Sequence, residues 1–183
     1  LMINLFRKVK KNTFRPINIP KFDKSIDDRC KKNSWFKLKK KPDILILEGW
    51  CVGAKPENSK SLKRPINVLE KNADNKKIWR SYVNNQLKSK YSKLFDQLDS
   101  LLYLKAKNFK LLKRWRLKQE KKLKMKSGTK KNSKIMNEKE VETFMMTYQR
   151  ITQNMFKYTP KYSSAVKDLN EKHQIKKERF KNA

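Results

Sequence analysis

Glycine is scarce: the 183 residues hold three, Gly49, Gly53 and Gly128. None stands in a GxxxxGK[ST] pattern, so the chain carries no glycine-rich loop whose N–H groups could cradle phosphates. Cysteine is rarer still, with two. Cys30 and Cys51 have no His or Cys at metal-ligand spacing, which argues against zinc and against a disulfide framework. So few cysteines point to a reducing, cytoplasmic setting. The one histidine, His173, lies in a Lys-rich stretch and reads as a surface residue rather than a catalyst. Acidic residues are outnumbered, 17 Asp+Glu against 49 Lys+Arg, for a net charge of +32. No apolar run approaches the roughly 20 residues that cross a bilayer. The opening Leu1-Met2-Ile3-Asn4-Leu5-Phe6 is too short for a signal-peptide core, and a start at Leu suits a fragment.

What is present is apolar enough to fold. Hydrophobic residues make up 37% and aromatics 10%, too much for a wholly disordered basic tail. The length suits one domain with a core. The positive charge first suggests nucleic acid or the ribosome, because clustered cations release phosphate counterions. Here, however, the lysines run through the whole chain, including helix faces opposite apolar stripes, and no RNA-recognition pattern of aromatics occurs. The expected nucleic-acid binding is non-specific.

Along the chain, residues 2–12 read as the end of a helix and Phe14 to Pro20 as an extended segment, since each proline biases its predecessor away from the helical region. A polar loop from Lys24 to Lys41 precedes Asp43-Ile44-Leu45-Ile46-Leu47-Glu48-Gly49-Trp50-Cys51. Four consecutive aliphatic residues predict a strand buried on both faces, as inside a parallel sheet. Ligands of such sheets bind beyond the carboxyl ends of strands, which places Glu48 where chemistry is expected. The plainer alternative is a buried strand ending in a solvated Glu.

A long loop over 50–74 comes next, then a helix striped by Leu87, Tyr91, Leu94, Phe95 and Leu98, and a short strand at Leu101–Leu104. A second helix covers about 107–126, followed by a Lys/Ser/Gly/Asn loop with the composition of a mobile segment. A third helix starts after Asn137 and aligns Val141, Phe144, Met145, Tyr148, Ile151 and Met155. A last strand is expected near Ala165–Leu169. Alternation of strands and helices predicts an α/β domain with a mainly parallel sheet flanked by helices.

Before the aliphatic run lies Phe22-Asp23-Lys24-Ser25-Ile26-Asp27-Asp28-Arg29. Carboxylates, cations and a hydroxyl together suit phosphoryl transfer, in which a carboxylate orients an acceptor hydroxyl and cations neutralise the transferred group. The same residues also make an ordinary polar turn.

The segments FDKSIDDR, DILILEGWCVGAKP, RPINVLE, WRSYVNNQL, YSKLFDQLD, WRLKQEKKL and FMMTYQRIT, in this order, resemble the D-glycerate 3-kinase-like family of P-loop kinases. These are relatives of phosphoribulokinase, uridine kinase and bacterial pantothenate kinase. The resemblance implies an incomplete P-loop kinase domain over 1–171, with a lid near 113–136, and a basic tail over 172–183. The implied reaction is transfer of the γ-phosphoryl group of ATP, with Mg²⁺, to a hydroxyl of glycerate or a similar metabolite.

On this resemblance Asp23 becomes the catalytic base or hydroxyl-orienting carboxylate, and Lys24, Ser25 and Arg29 become acceptor contacts. Glu48 faces the acceptor or the metal–phosphate region, reaching Mg²⁺ through a bound water, and Trp50 shapes the pocket wall. Arg114 and Arg116 fall at the lid base, two apart, so at most one reaches phosphates from the helix. Arg150 is a further candidate for structure or phosphate contact. Lys stands at many positions where the family has Arg, which weakens bidentate phosphate contacts. The missing phosphate loop implies a chain with the acceptor side and lid of a kinase, inactive or weak alone. The competing readings are a non-catalytic remnant and a basic nucleic-acid or ribosome-associated protein.

Overall fold

A computed structural model describes residues 2–23, 28–127 and 135–181. The chain divides into two compact units, Leu1–Gly49 and Trp50–Ala183.

In the first unit, helix α1 (Met2–Lys10) buries Phe6 and Val9, three residues apart and therefore on one face. Arg7, Lys8 and Lys10 crowd its last turn, where they oppose the negative end of the helix dipole. Strand β1 (Ile17–Ile19) pairs antiparallel with β4 (Phe36–Leu38), and β2 (Phe22–Asp23) with β3 (Asp28–Arg29). The stretch expected as a plain loop from Lys24 to Lys41 thus contributes two strands. The Trp35 indole N–H donates to the Cys30 carbonyl at 2.8 Å and fixes the return of the chain into β4.

The strand predicted at Asp43–Glu48 does not form. No described strand pairs with this segment, and Ile44 and Ile46 are 78% and 83% exposed while Leu45 and Leu47 are half-buried. An aliphatic run expresses a demand for burial, but a strand buried on two faces needs a hydrogen-bonding neighbour to make its ladder.

The second unit holds α2 (Val68–Ala73), α3 (Ile78–Gln86), a π-helical turn (Leu87–Tyr91), α4 (Ser92–Phe95), β5 (Leu102–Ala106), α5 (Phe109–Ser127), α6 (Glu138–Tyr162), β6 (Ala165–Leu169) and β7 (Ile175–Phe180). The sheet runs β5-β6-β7; β5 and β6 are parallel from Leu102↔Ala165 to Ala106↔Leu169, and β7 returns antiparallel. The expectation of a mainly parallel sheet therefore holds only for the β5/β6 pair among the described residues. The basic tail from Lys172 carries a strand of its own, β7, entered through a turn in which His173 adopts φ 65°.

Helix α6 begins with a capping box: Asn137 accepts from the Glu140 N–H while the Glu140 carboxylate accepts from the Asn137 N–H. Its buried positions Val141, Met145, Thr152, Met155 and Thr159 form the inward stripe. Met155 packs with Ala54 and Leu87, and Cys51, Tyr103 and Ile151 close around them. Burial pushes the Cys51 thiol up to about 11, so it stays protonated at neutral pH. Among the described residues, no helix is long and apolar enough to cross a membrane.

Candidate functional site

Gly53 sets the path of the loop after Trp50. Its φ is +78°, and a Cβ there would lie 2.8 Å from Leu101 Cδ2, so both the backbone and the space call for glycine. The Tyr162 hydroxyl donates to the Gly53 carbonyl at 2.9 Å, and the Lys55 ammonium sits 4.1 Å from the centre of the Tyr162 ring. With the loop so anchored, the Trp50 ring stacks on Tyr148 of α6, centroids 4.9 Å apart and planes 6° apart, and tilts against Phe144 at 6.3 Å.

Facing this aromatic wall is a cavity of about 560 Å³ lined by Trp50, Trp115, Arg116, Lys118, Lys122 and His173 among others. Trp115 and His173 stack with centroids 4.1 Å apart, and the Trp115 indole donates to the Glu171 carbonyl at 3.1 Å. Arg116 lies over the Phe144 ring at 5.4 Å and pairs with Glu120, while its buried Nε has no hydrogen-bond partner. An orphaned guanidinium N–H beside two lysines and three aromatic rings is suited to an anionic, planar ligand.

Arg114 points elsewhere. It pairs with Glu171 at 2.8 Å, and this hydrogen bond and charge hold the Glu171 carboxyl below its ordinary range. Arg116 lines the cavity and Arg114 does not.

Arg150 is committed to packing. Its Nε and one terminal nitrogen grip Glu70 at 2.8 and 2.6 Å, and the remaining donors reach Glu57 and the carbonyls of Ser61 and Arg64. The hydrogen bonds it donates to Glu70 raise its already high pKa, and no donor is left for a phosphate. Glu70 in turn accepts from the Ile66 N–H, while Asn67 caps α2 and donates to Met146 O and Gln149. The RPINVLE and YQRIT segments meet through this network.

The remaining candidates belong to the first unit. Asp23 is half-buried at the end of β2, opposite Asp28; Arg29 and Glu48 are exposed. Lys24 and Ser25 lie outside the described residues. Among the described residues no group of three or more His, Cys, Asp or Glu is placed to hold a metal ion.

No family model matches the chain. In sequence it is 32% identical over 151 residues to the uncharacterized kinase mug58 of Schizosaccharomyces pombe, covering 79% of this chain and 51% of that protein. In structure it is similar to the D-glycerate 3-kinase of Cryptococcus neoformans, with a TM-score of 0.77 at 20% identity over 98% of this chain. The fold is glycerate kinase-like. A second solved structure, the YGR205w protein, aligns with a TM-score of 0.66 at 23% identity over 98% of the chain. The resemblance read from the ordered motifs therefore holds for the fold. The chain spans about half the length of its curated relative and 65% and 63% of the two solved structures.

Sequence reasoning missed His173 and Trp115 as members of the pocket, and Phe144 and Tyr148 as the rings against which Trp50 packs. Phe144 and Tyr148 stood in FMMTYQRIT as core residues, and their spacing of four does put both on one helix face. Nothing local marks His173, because its role comes from the β6/β7 turn that carries it back to Trp115.

Proposed function

We propose that the chain is the acceptor-side and lid portion of an ATP-dependent small-molecule kinase, acting on a hydroxyl of glycerate or a similar metabolite. The observation that carries this reading is the cationic aromatic pocket at the base of α5, where Arg116 keeps an unpartnered N–H beside Lys118, Lys122 and Trp50. The likeness to a D-glycerate 3-kinase and to an uncharacterized kinase supports it.

The residues present fit a polyphosphate. Arg116 takes one oxygen through Nε, Lys118 and Lys122 neutralise the rest, and the rings exclude water, which strengthens each charge contact. For Mg²⁺ the described side chains offer no ready cage; were the ion bound, Glu48 would hold it through a water, and it would supply neutralisation of phosphate charge. Asp23 orients the acceptor hydroxyl and accepts its proton, and Arg29 holds an anionic group of the acceptor. Both cysteines are free, which supports a cytoplasmic setting.

The sequence has no GxxxxGK[ST], so the 183-residue chain alone turns over slowly or not at all. The test is ATP-dependent phosphorylation of D-glycerate by this chain and by the longer protein that includes it. In the longer protein, Arg116→Ala raises the KM for ATP by about 10–100-fold, the loss of one charge-assisted contact. Asp23→Asn lowers kcat with little change in KM. Normal turnover by Asp23→Asn removes Asp23 from its role, and ordinary rates from the 183-residue chain sink the acceptor-and-lid assignment.

A further inference from the structure

A second cavity, of about 350 Å³, opens between α2, α3 and α6, lined by different residues from those around Arg116. Its volume falls within the range of small-molecule sites, and so does its make-up of apolar walls with a few polar groups. Leu69, Val83, Leu87 and Met146 supply the walls, and Trp79 stands at the rim, 67% exposed.

In a protein of net +32, the lining of this cavity is charge-balanced, with Glu57, Glu70 and Asp74 against Arg80, Arg150 and Lys55. The Lys55 ammonium, also on the lining, lies against the Tyr162 ring. Glu70 and Asp74 are satisfied: Glu70 by Arg150, and Asp74 by the N–H groups of Trp79 and Arg80 and the Arg80 guanidinium. Glu57 is met on one oxygen only. Its side chain is mostly buried, its one hydrogen bond is a long 3.5 Å contact from Arg150 to Oε2, and no described group donates to Oε1. Burial raises its pKa although Arg150 and that bond pull the other way.

We propose that this cavity binds a small organic cation, a compact aromatic or branched aliphatic body seated between Leu69, Val83 and Met146 with its ammonium donating to Glu57. Burying an ammonium is tolerable only against a paired carboxylate, and Glu57 has an oxygen to give. The Trp79 face at the rim adds cation–π attraction during entry. An anionic group set against Glu57 meets a like charge, so a cation is favoured over a nucleotide or a hydroxy acid at that oxygen. The site is independent of the kinase reading and stands if that reading fails.

The test uses the 183-residue chain labelled with ¹³C-methyl methionine and three probes sharing one ring system: tryptamine, indole and indole-3-acetate. Tryptamine shifts the Met146 methyl resonance and binds at least about 10-fold more tightly than indole, with indole-3-acetate weakest. Glu57→Gln weakens tryptamine by about 10-fold or more while leaving indole unchanged, because a charge-assisted bond becomes a neutral one. Val83→Trp fills the space and abolishes binding of tryptamine and indole, with the buried Met145 and Met155 methyls reporting an intact fold. Three results overturn the proposal: no Met146 shift with millimolar tryptamine, indole-3-acetate binding as tightly as tryptamine, or tryptamine affinity unaltered by Glu57→Gln.

Discussion

At the scale of single residues, the second unit depends on a few buried polar contacts. Asp74 accepts from the Trp79 and Arg80 N–H groups at 2.9 and 3.1 Å, so it caps α3 from outside the helix, and it pairs with the Arg80 guanidinium at 2.9 Å. Burial alone would raise its pKa, but the two N–H donors and the guanidinium together win and hold it below the ordinary carboxylate value. The sign follows: stability from Asp74 is full above the unfolded value near 3.9 and is lost as pH falls through the lower folded value. Asp74→Ala is expected to cost about 3–5 kcal/mol in urea denaturation at pH 7, since it leaves Arg80 buried and uncompensated. Glu57 is the opposite case. Its folded pKa is raised, so its ionised form opposes folding, and Glu57→Gln leaves the Tm at pH 7 unchanged or higher. Gly53→Ala meets both a left-handed backbone and the Leu101 side chain, and calorimetry is expected to show a loss of about 1–3 kcal/mol.

At the scale of elements, the capping box of α6 accounts for its sharp start, and Asn137→Ala is expected to cost about 1 kcal/mol by chemical denaturation. Such helices were legible from sequence because their signals are local: an N-cap, a 3.6-residue stripe and a polar loop before it. The extended segment before Pro20 and the strands near 101–104 and 165–169 could be read the same way. Strands that depend on distant partners could not. Phe36–Leu38 lies in a stretch of lysines and gains its strand character from β1, while Ile44–Leu47 has the better strand sequence and no partner. Arg150 was ambiguous for a related reason. Only the tertiary approach of Glu70, 80 residues away, turns a generic cation into a structural clamp. The stack of Trp115 on His173 likewise exists only because β7 turns back on β6.

At the scale of the whole molecule, the Arg116 and Glu57 cavities of the second unit differ in charge. The one at Arg116 gathers cations in keeping with a strongly basic chain, whereas the one at Glu57 sets three carboxylates against three cations. Mixed titrations with ATP and tryptamine are therefore expected to show binding of each without displacement of the other. One feature of the sheet bears on how the protein behaves in a tube. β5 pairs with β6 on one side only among the described strands, and it exposes Leu102 and Leu104 by 53% and 56%. An apolar strand edge is a template for another chain, and here a charge of +32 is what keeps copies apart. Screening shortens to about 8 Å at physiological ionic strength. Light scattering should accordingly rise with added sodium chloride, because the ions that screen the lysines also remove what holds the bare strand edges of two copies apart.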